Sequence, residues 1–152
     1  MDMERLTERV RGFIQAAQAI ALRSDHQQLL PEHLLKALVD DPEGMASGLI
    51  ERAGGRPKDV ALATDAALAS LPKVSGSAGQ MYVGQPLAKV LATADDIAKK
   101  AGDSFVTVER LLLALTMEKT AKTADILAKA GVTPQGLNTA INELRKGRTA
   151  DT

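Results

Sequence analysis

The sequence has no cysteine and no tryptophan, one tyrosine and two phenylalanines. Without cysteine there is no disulfide framework and no thiolate metal site. Three aromatic rings leave no platform on which single-stranded bases could stack. Lysine plus arginine and aspartate plus glutamate both number 19, so the formal net charge is zero. A nucleic-acid binder is expected to carry a basic footprint, and none is present. No apolar run approaches the 18 or more residues of a membrane span. The opening MDMERLTERVR is charged where a secretory leader needs an apolar stretch. These absences lead to the expectation of a soluble, cytoplasmic protein with no nucleic-acid or membrane partner.

Catalytic signatures are missing as well. There is no G-x-x-x-x-G-K-[ST] phosphate loop and no H-E-x-x-H zinc motif. His26 and His33 are the only imidazoles, and no nucleophile–base pair can be placed. A hydrolase or transferase is therefore not expected.

What the chain does contain is alanine, leucine and a repeat. Residues 31–38 read PEHLLKAL and residues 108–115 read VERLLLAL, 77 positions on. At that offset 13–60 aligns with 90–137 without a gap, and eleven of the 48 pairs are identical. The matches fall at helical spacing (Ala17, Ile20 and Ala21 on Ala94, Ile97 and Ala98) and on punctuation (Ala53, Gly54 and Pro57 on Ala130, Gly131 and Pro134). Such self-similarity is the mark of an internal structural repeat.

Each copy divides into four helices. In the first copy a helix starts near Thr7, a good N-cap, and Leu6, Val10, Phe13, Ile14, Ala17, Ile20 and Ala21 fall on one stripe. The next opens at Pro31 and ends before Asp41-Pro42, a short third stops at Gly54-Gly55, and a fourth runs from Pro57 to about Ser70. The second copy gives Pro86–Ala101, Val108–Met117, Thr123–Ala130 and Pro134–Lys146, with Thr107 and Thr133 as caps. The fold expected is all-α, eight helices as a pseudo-twofold tandem repeat of two four-helix units. Four short helices enclose no core alone, whereas two copies face to face bury both apolar stripes. Repeat 1 spans about 3–70, a Gly- and Ser-containing segment 71–85 joins the halves, repeat 2 spans about 86–147, and 148–152 reads as the start of a linker.

A few side chains could do more than pack a helix. His33 opens a core helix and reads as a structural, neutral, hydrogen-bonded ring, and His26 as a solvated loop residue. Asp95, Asp96, Lys99 and Lys100 read as i,i+4 ion pairs. Phe105 reads as a plug beneath its loop, or as an apolar anchor for a partner. Asp103 and Glu109 admit two readings. In one, Asp103 fixes the turn after Gly102 and Glu109 complements its helix N-terminus. In the other, they form a surface recognition cluster.

The paired EHLLKAL and ERLLLAL segments, each followed by an apolar helix and AGxxP-like punctuation, resemble the Clp N-terminal repeat, the N-terminal domain of the Clp/Hsp100 class of AAA+ ATPases. The likeness covers essentially 3–147. LTERV, LPKVSG, KAGDSFVTVERLLLAL and AGVTPQGLNTAINELRKGR look closer to the disaggregase branch than to the protease-coupled one. The resemblance implies an accessory, non-catalytic domain that weakly binds unfolded or aggregated polypeptides and helps deliver them to an ATPase ring. The alternative it offers is an adaptor-docking domain of a protease-coupled relative. It further implies a hexameric parent working with the Hsp70 system and ATPase domains after Thr152 that bind ATP and Mg. This domain, likened to the isolated N-domain, is expected to be a cofactor-free monomer.

The same resemblance associates a polar cluster with substrate handling, falling here on Thr7 in LTER, Asp103 in GDSF and Glu109 in TVERL. It associates an apolar groove with Leu91 in KVLAT. Thr93 and Arg110 stand where the family can have apolar residues, a departure that shifts the expected preference toward polar or acidic segments. The substrate-binding residues implied are thus Thr7, Leu91, Asp103, Glu109 and Arg110.

Overall fold

The computed structural model describes residues 3–74 and 81–146. The central part of the joining segment and the tail read as a linker lie outside the described residues. A 3₁₀ turn (Met3–Arg5) precedes α1 (Glu8–Arg23), α2 (Pro31–Val39), α3 (Met45–Arg52) and α4 (Pro57–Ala69). The second half supplies α5 (Gln85–Lys100), α6 (Val108–Met117), α7 (Lys122–Lys129) and α8 (Pro134–Arg145). The all-helical, two-times-four arrangement is the one the periodicity predicts.

The predicted caps and stops are in place. Hydroxyls of Thr7, Thr107 and Thr133 accept from the backbone N–H of Val10, Arg110 and Gly136, satisfying donors that a helix start leaves orphaned. Gly54 and Gly131 end their helices at φ +94° and +97°, a left-handed conformation costly for any residue with a Cβ.

The two repeats share one core. Leu34, Leu35 and Leu38 of α2 and Leu111, Leu112 and Leu115 of α6 are all fully buried. Across the halves α3 packs on α8 and α4 on α7, the exchanged pairing that a twofold relation requires. Near the pseudo-axis the equivalent glycine turns touch, because a Cβ on Gly131 would sit 3.1 Å from the Gly54 carbonyl oxygen. Arg56 N–H donates to the Ala130 carbonyl there, at 3.0 Å.

The periodicity does not predict the strand pairing. The segment entering each repeat pairs with a loop of the other. A short parallel ladder joins β1 (Gln28–Leu29) to β2 (Tyr82–Val83), matching Leu29 with Val83. Its mate at the 77-residue offset is the parallel bridge of Val106 with Leu6. Two-residue strands carry no alternation long enough to be read in a sequence. They form because Leu29, Val106 and Leu6 enter the core and draw their backbones alongside.

His26 departs from expectation. It is 6% exposed rather than solvated, with Nδ1 2.8 Å from Nε2 of the fully buried His33. Leu30 N–H donates to His33 Nδ1 at 3.0 Å, so the neutral His33 ring carries its proton on Nε2 and donates to His26. Burial, reinforced by the neighbouring His26, lowers His33 to about 4. Beneath the α5–α6 loop the plug is Val106, fully buried, while Phe105 is half-buried.

Candidate functional site

The residues singled out around α6 are positioned by three separate pieces of chain. Gly102 (φ +82°) ends α5, and Asp103 N–H donates to the Ala98 carbonyl at 2.9 Å. The backbone of Asp103 thereby makes the turn and frees its carboxylate to reach inward. That carboxylate is completely buried. Arg145, from the last turn of α8, donates to both oxygens at 2.6 and 2.7 Å. Arg110, from the first turn of α6, adds Nε at 3.1 Å. The bond to Asp103 raises the Arg145 guanidinium above its ordinary value, against the opposing effect of burial. Glu109 Oε2 lies 4.0 Å from Arg145 Nε and retains some exposure. Two carboxylates and two guanidiniums thus form one nearly closed network. Forked guanidinium–carboxylate bonds of this kind are among the strongest polar contacts in proteins.

Thr7 reaches the same loop through the backbone. Its N–H donates to the Val106 carbonyl at 3.2 Å, and Val106 N–H returns a bond to the Arg5 carbonyl at 2.7 Å. Arg5 also binds the Ser104 carbonyl at 2.6 Å and the Asp95 carboxylate at 3.0 Å. Asp95 pairs with Lys99 at 3.1 Å as the i,i+4 spacing predicts; among the described residues no Asp96–Lys100 pair accompanies it. Asp103, Glu109 and Arg110 are therefore brought together, Thr7 is tied by backbone to the loop that follows Asp103 while its hydroxyl caps α1, and Arg145 is the member that sequence reasoning misses. Its position in the last turn of α8 signals only a favourable helix dipole, and its partner is 42 residues away.

Leu91 belongs elsewhere. It is 7% exposed and lines a groove of about 560 Å³ between α1 and α5, with Met3, Ile14, Leu29, Val83 and Leu87. Asp95 and Asp96 edge this groove. Arg110 instead borders a groove of about 500 Å³ between α5, α6 and α8, floored by Ile97, Leu113 and Met117. Thr93 lines neither. A third groove, about 600 Å³, lies between α1 and α2. Met117 and Val83, 43% and 53% exposed, give the first two grooves accessible apolar surface.

Among the described residues no group of three or more His, Asp or Glu side chains could hold a metal, and no helix is long and apolar enough to cross a membrane. What the geometry offers is a set of shallow grooves with apolar lining residues beside a buried charged network.

Residues 5–130 match the Clp repeat N-terminal domain. The chain belongs to that family. It is 68% identical over 151 residues to the chaperone protein ClpB of Mesorhizobium japonicum and 64% identical to that of Rhizobium meliloti, covering 99% of this chain in each case. The chain spans 17% of the length of these relatives, so it corresponds to a chaperone's N-terminal Clp domain. The Hsp104 N-terminal domain from Candida albicans superposes with a TM-score of 0.84 at 26% identity, over 97% of this chain and 95% of that one. The N-terminal domain of the ClpV1 ATPase from E. coli shares the fold, with a TM-score of 0.77 at 20% identity over 94% of this chain and 87% of that one.

Proposed function

We propose that this Clp domain is the non-catalytic accessory N-domain of a ClpB-type disaggregase, binding unfolded or aggregated polypeptide segments weakly and helping to deliver them to the ATPase ring. In this reading ATP and Mg are bound by ATPase domains of the parent, a cytoplasmic hexamer that works with the Hsp70 system. The domain itself is a cofactor-free monomer. The observation that carries the reading is the open grooves with apolar lining residues on the surface of a domain built round one shared core. The network of Asp103, Glu109, Arg110 and Arg145 ties the end of α5 to α6 and α8, so that the groove between these helices is preformed.

Weak binding follows from size. Each apolar side chain seated in a groove contributes about 1.5–3 kcal/mol at most. Association costs at least about 4 kcal/mol in lost freedom. Two or three anchors therefore leave at most about 5 kcal/mol, a range of affinities no tighter than about 0.2 mM. A feeder needs such a range, since it must release what it captures.

The test is an NMR titration of the labelled domain with a permanently unfolded polypeptide, with the folded form of the same protein as control. Shifts at Leu91, Leu113 and Met117 with the unfolded chain alone are the expected result. Tight binding to one folded partner and indifference to unfolded chains would replace this reading with adaptor docking.

A further inference from the structure

The two grooves differ in charge. The α5–α6–α8 groove is lined by Arg110 and Lys100 and by the amides of Gln135, Asn138 and Asn142, with no Asp or Glu among its described lining residues. The Leu91 groove is edged by Asp95 and Asp96 and has no Lys or Arg among its described lining residues. Arg110 is held in place: its Nε is committed to Asp103, while no hydrogen bond to either Nη group is found among the described residues. Its side chain is only 7% exposed. Lys100, at the groove's open edge, forms no ion pair among the described residues and is exposed.

The first repeat shows that this pattern is not a by-product of the fold. At the 77-residue offset Ile20, Arg23, His33, Lys36 and Asp40 stand where Ile97, Lys100, Arg110, Leu113 and Met117 stand in the second. There two of the three lining cations, Lys36 and Arg9, are ion-paired, while Arg23, the counterpart of Lys100, forms no ion pair among the described residues. Lys36 bridges Asp40 and Asp65 at 2.8 and 3.0 Å, and Arg9 bridges Glu43 and Asp41 at 2.7 and 3.4 Å. Its counterpart in the second repeat has no acid among its described lining residues to pair with Arg110 and Lys100, and so leaves both with donors to spare.

Resting on the polypeptide-binding reading above, the geometry points to the α5–α6–α8 groove as selective for unfolded segments that pair an apolar side chain with a carboxylate two residues away. On α6, Arg110 and Leu113 are i,i+3 neighbours, with Cβ atoms about 5–6 Å apart. In an extended peptide the side chains of i and i+2 lie on one face, about 7 Å apart. An apolar residue at i reaches Leu113 and Met117 while an Asp or Glu at i+2 meets Arg110. A carboxylate bound by an oriented, poorly solvated guanidinium makes a charge-assisted hydrogen bond. The same acid placed in the Leu91 groove meets no lining cation, and Asp96 at its edge repels it.

The test uses the 152-residue chain, isotopically labelled, and three unfolded peptides differing only in one repeated residue: Leu-Ser-Asp, Leu-Ser-Asn and Leu-Ser-Lys. The acidic peptide is expected to bind about tenfold more tightly than the neutral one, with shifts at Leu113 and Met117, and the advantage is expected to shrink as ionic strength rises. Lys100→Glu, a substitution on the exposed rim that leaves the Asp103 network intact, is expected to cut the preference at least threefold. Equal binding of all three peptides at this groove overturns the charge selectivity and leaves the feeding role standing. Acid-dependent shifts on the α1–α2 face instead overturn the groove assignment. Failure of all three to bind overturns the feeding role, and the selectivity with it.

Discussion

Replacing Asp103 with Asn removes one charge and almost no volume, and its cost follows from the contacts. The carboxylate is wholly buried and accepts three hydrogen bonds of 2.6, 2.7 and 3.1 Å from two guanidiniums that are themselves 11% and 7% exposed. Asparagine keeps one acceptor and turns an NH₂ toward cations. Breaking a buried ion pair by removing one partner costs about 3–5 kcal/mol, because the other charge is left behind. Two factors reduce this here: Glu109 remains 4.0 Å from Arg145, and both arginines keep a little exposure. About 3 kcal/mol is the expected loss. For a domain of this size that lowers Tm by about 6–12 °C, readable by calorimetry and by urea titration at constant m. The double variant Asp103→Asn with Arg145→Met is expected to lose less than the sum of its parts, by at least about 1 kcal/mol. A single-variant loss below about 1 kcal/mol, or strict additivity, would refute the assignment of Asp103 as the clamp between α6 and α8.

Three further outcomes are expected. His33 is neutral when folded and lowered to about 4, so the unfolded chain takes up its proton first; its contribution is complete above about pH 6.5 and declines as pH falls toward 4. The loss is about 3 kcal/mol, aided by the lowered His26 and opposed by Glu32, whose burial raises it; an imidazole of His33 titrating near 6.5 by NMR would contradict this. Leu91 is too buried for a clean test of its groove, whereas Ala92→Glu, on the exposed rim, is expected to weaken unfolded-chain binding there severalfold while Tm moves by no more than about 2 °C. Gly55→Ala would place a Cβ 2.4 Å from Val132 Cγ2 and 3.0 Å from Ile50 Cγ2, and is expected to destabilise by about 1–3 kcal/mol in chemical denaturation, whereas at the open Gly12 the same change is expected to be neutral or stabilising.

How much is legible varies with the range of the interaction. Thr7, Thr107 and Thr133 act on an N–H three residues ahead, and Gly54 and Gly131 act on their own φ, so each announces itself locally. His33 can be read as a core residue because its neighbours Leu34 and Leu35 mark the buried face, but His26, seven residues earlier in a polar stretch, is drawn inward by its contact with His33, which no local pattern announces. The local turn at Asp103 is expected from its neighbours, yet what its carboxylate binds lies at the far end of the chain. Phe105 looks like the natural plug by size, and the backbone instead turns Val106 inward, where the bridge to Leu6 fixes its direction.

From the sequence alone come the repeat, the eight helices with their caps and stops, and the pairing of α2 with α6 as equivalent core elements. All of these depend on periodicity and backbone preferences acting within a few residues. Only the tertiary structure decides that each repeat's entry segment pairs with the other's loop, that Arg145 closes on Asp103, and that one groove of the related pair sets acids beside its cations while the other does not. Those outcomes depend on which faces meet across the pseudo-axis, and a charge pair formed across 42 residues leaves no trace in local periodicity.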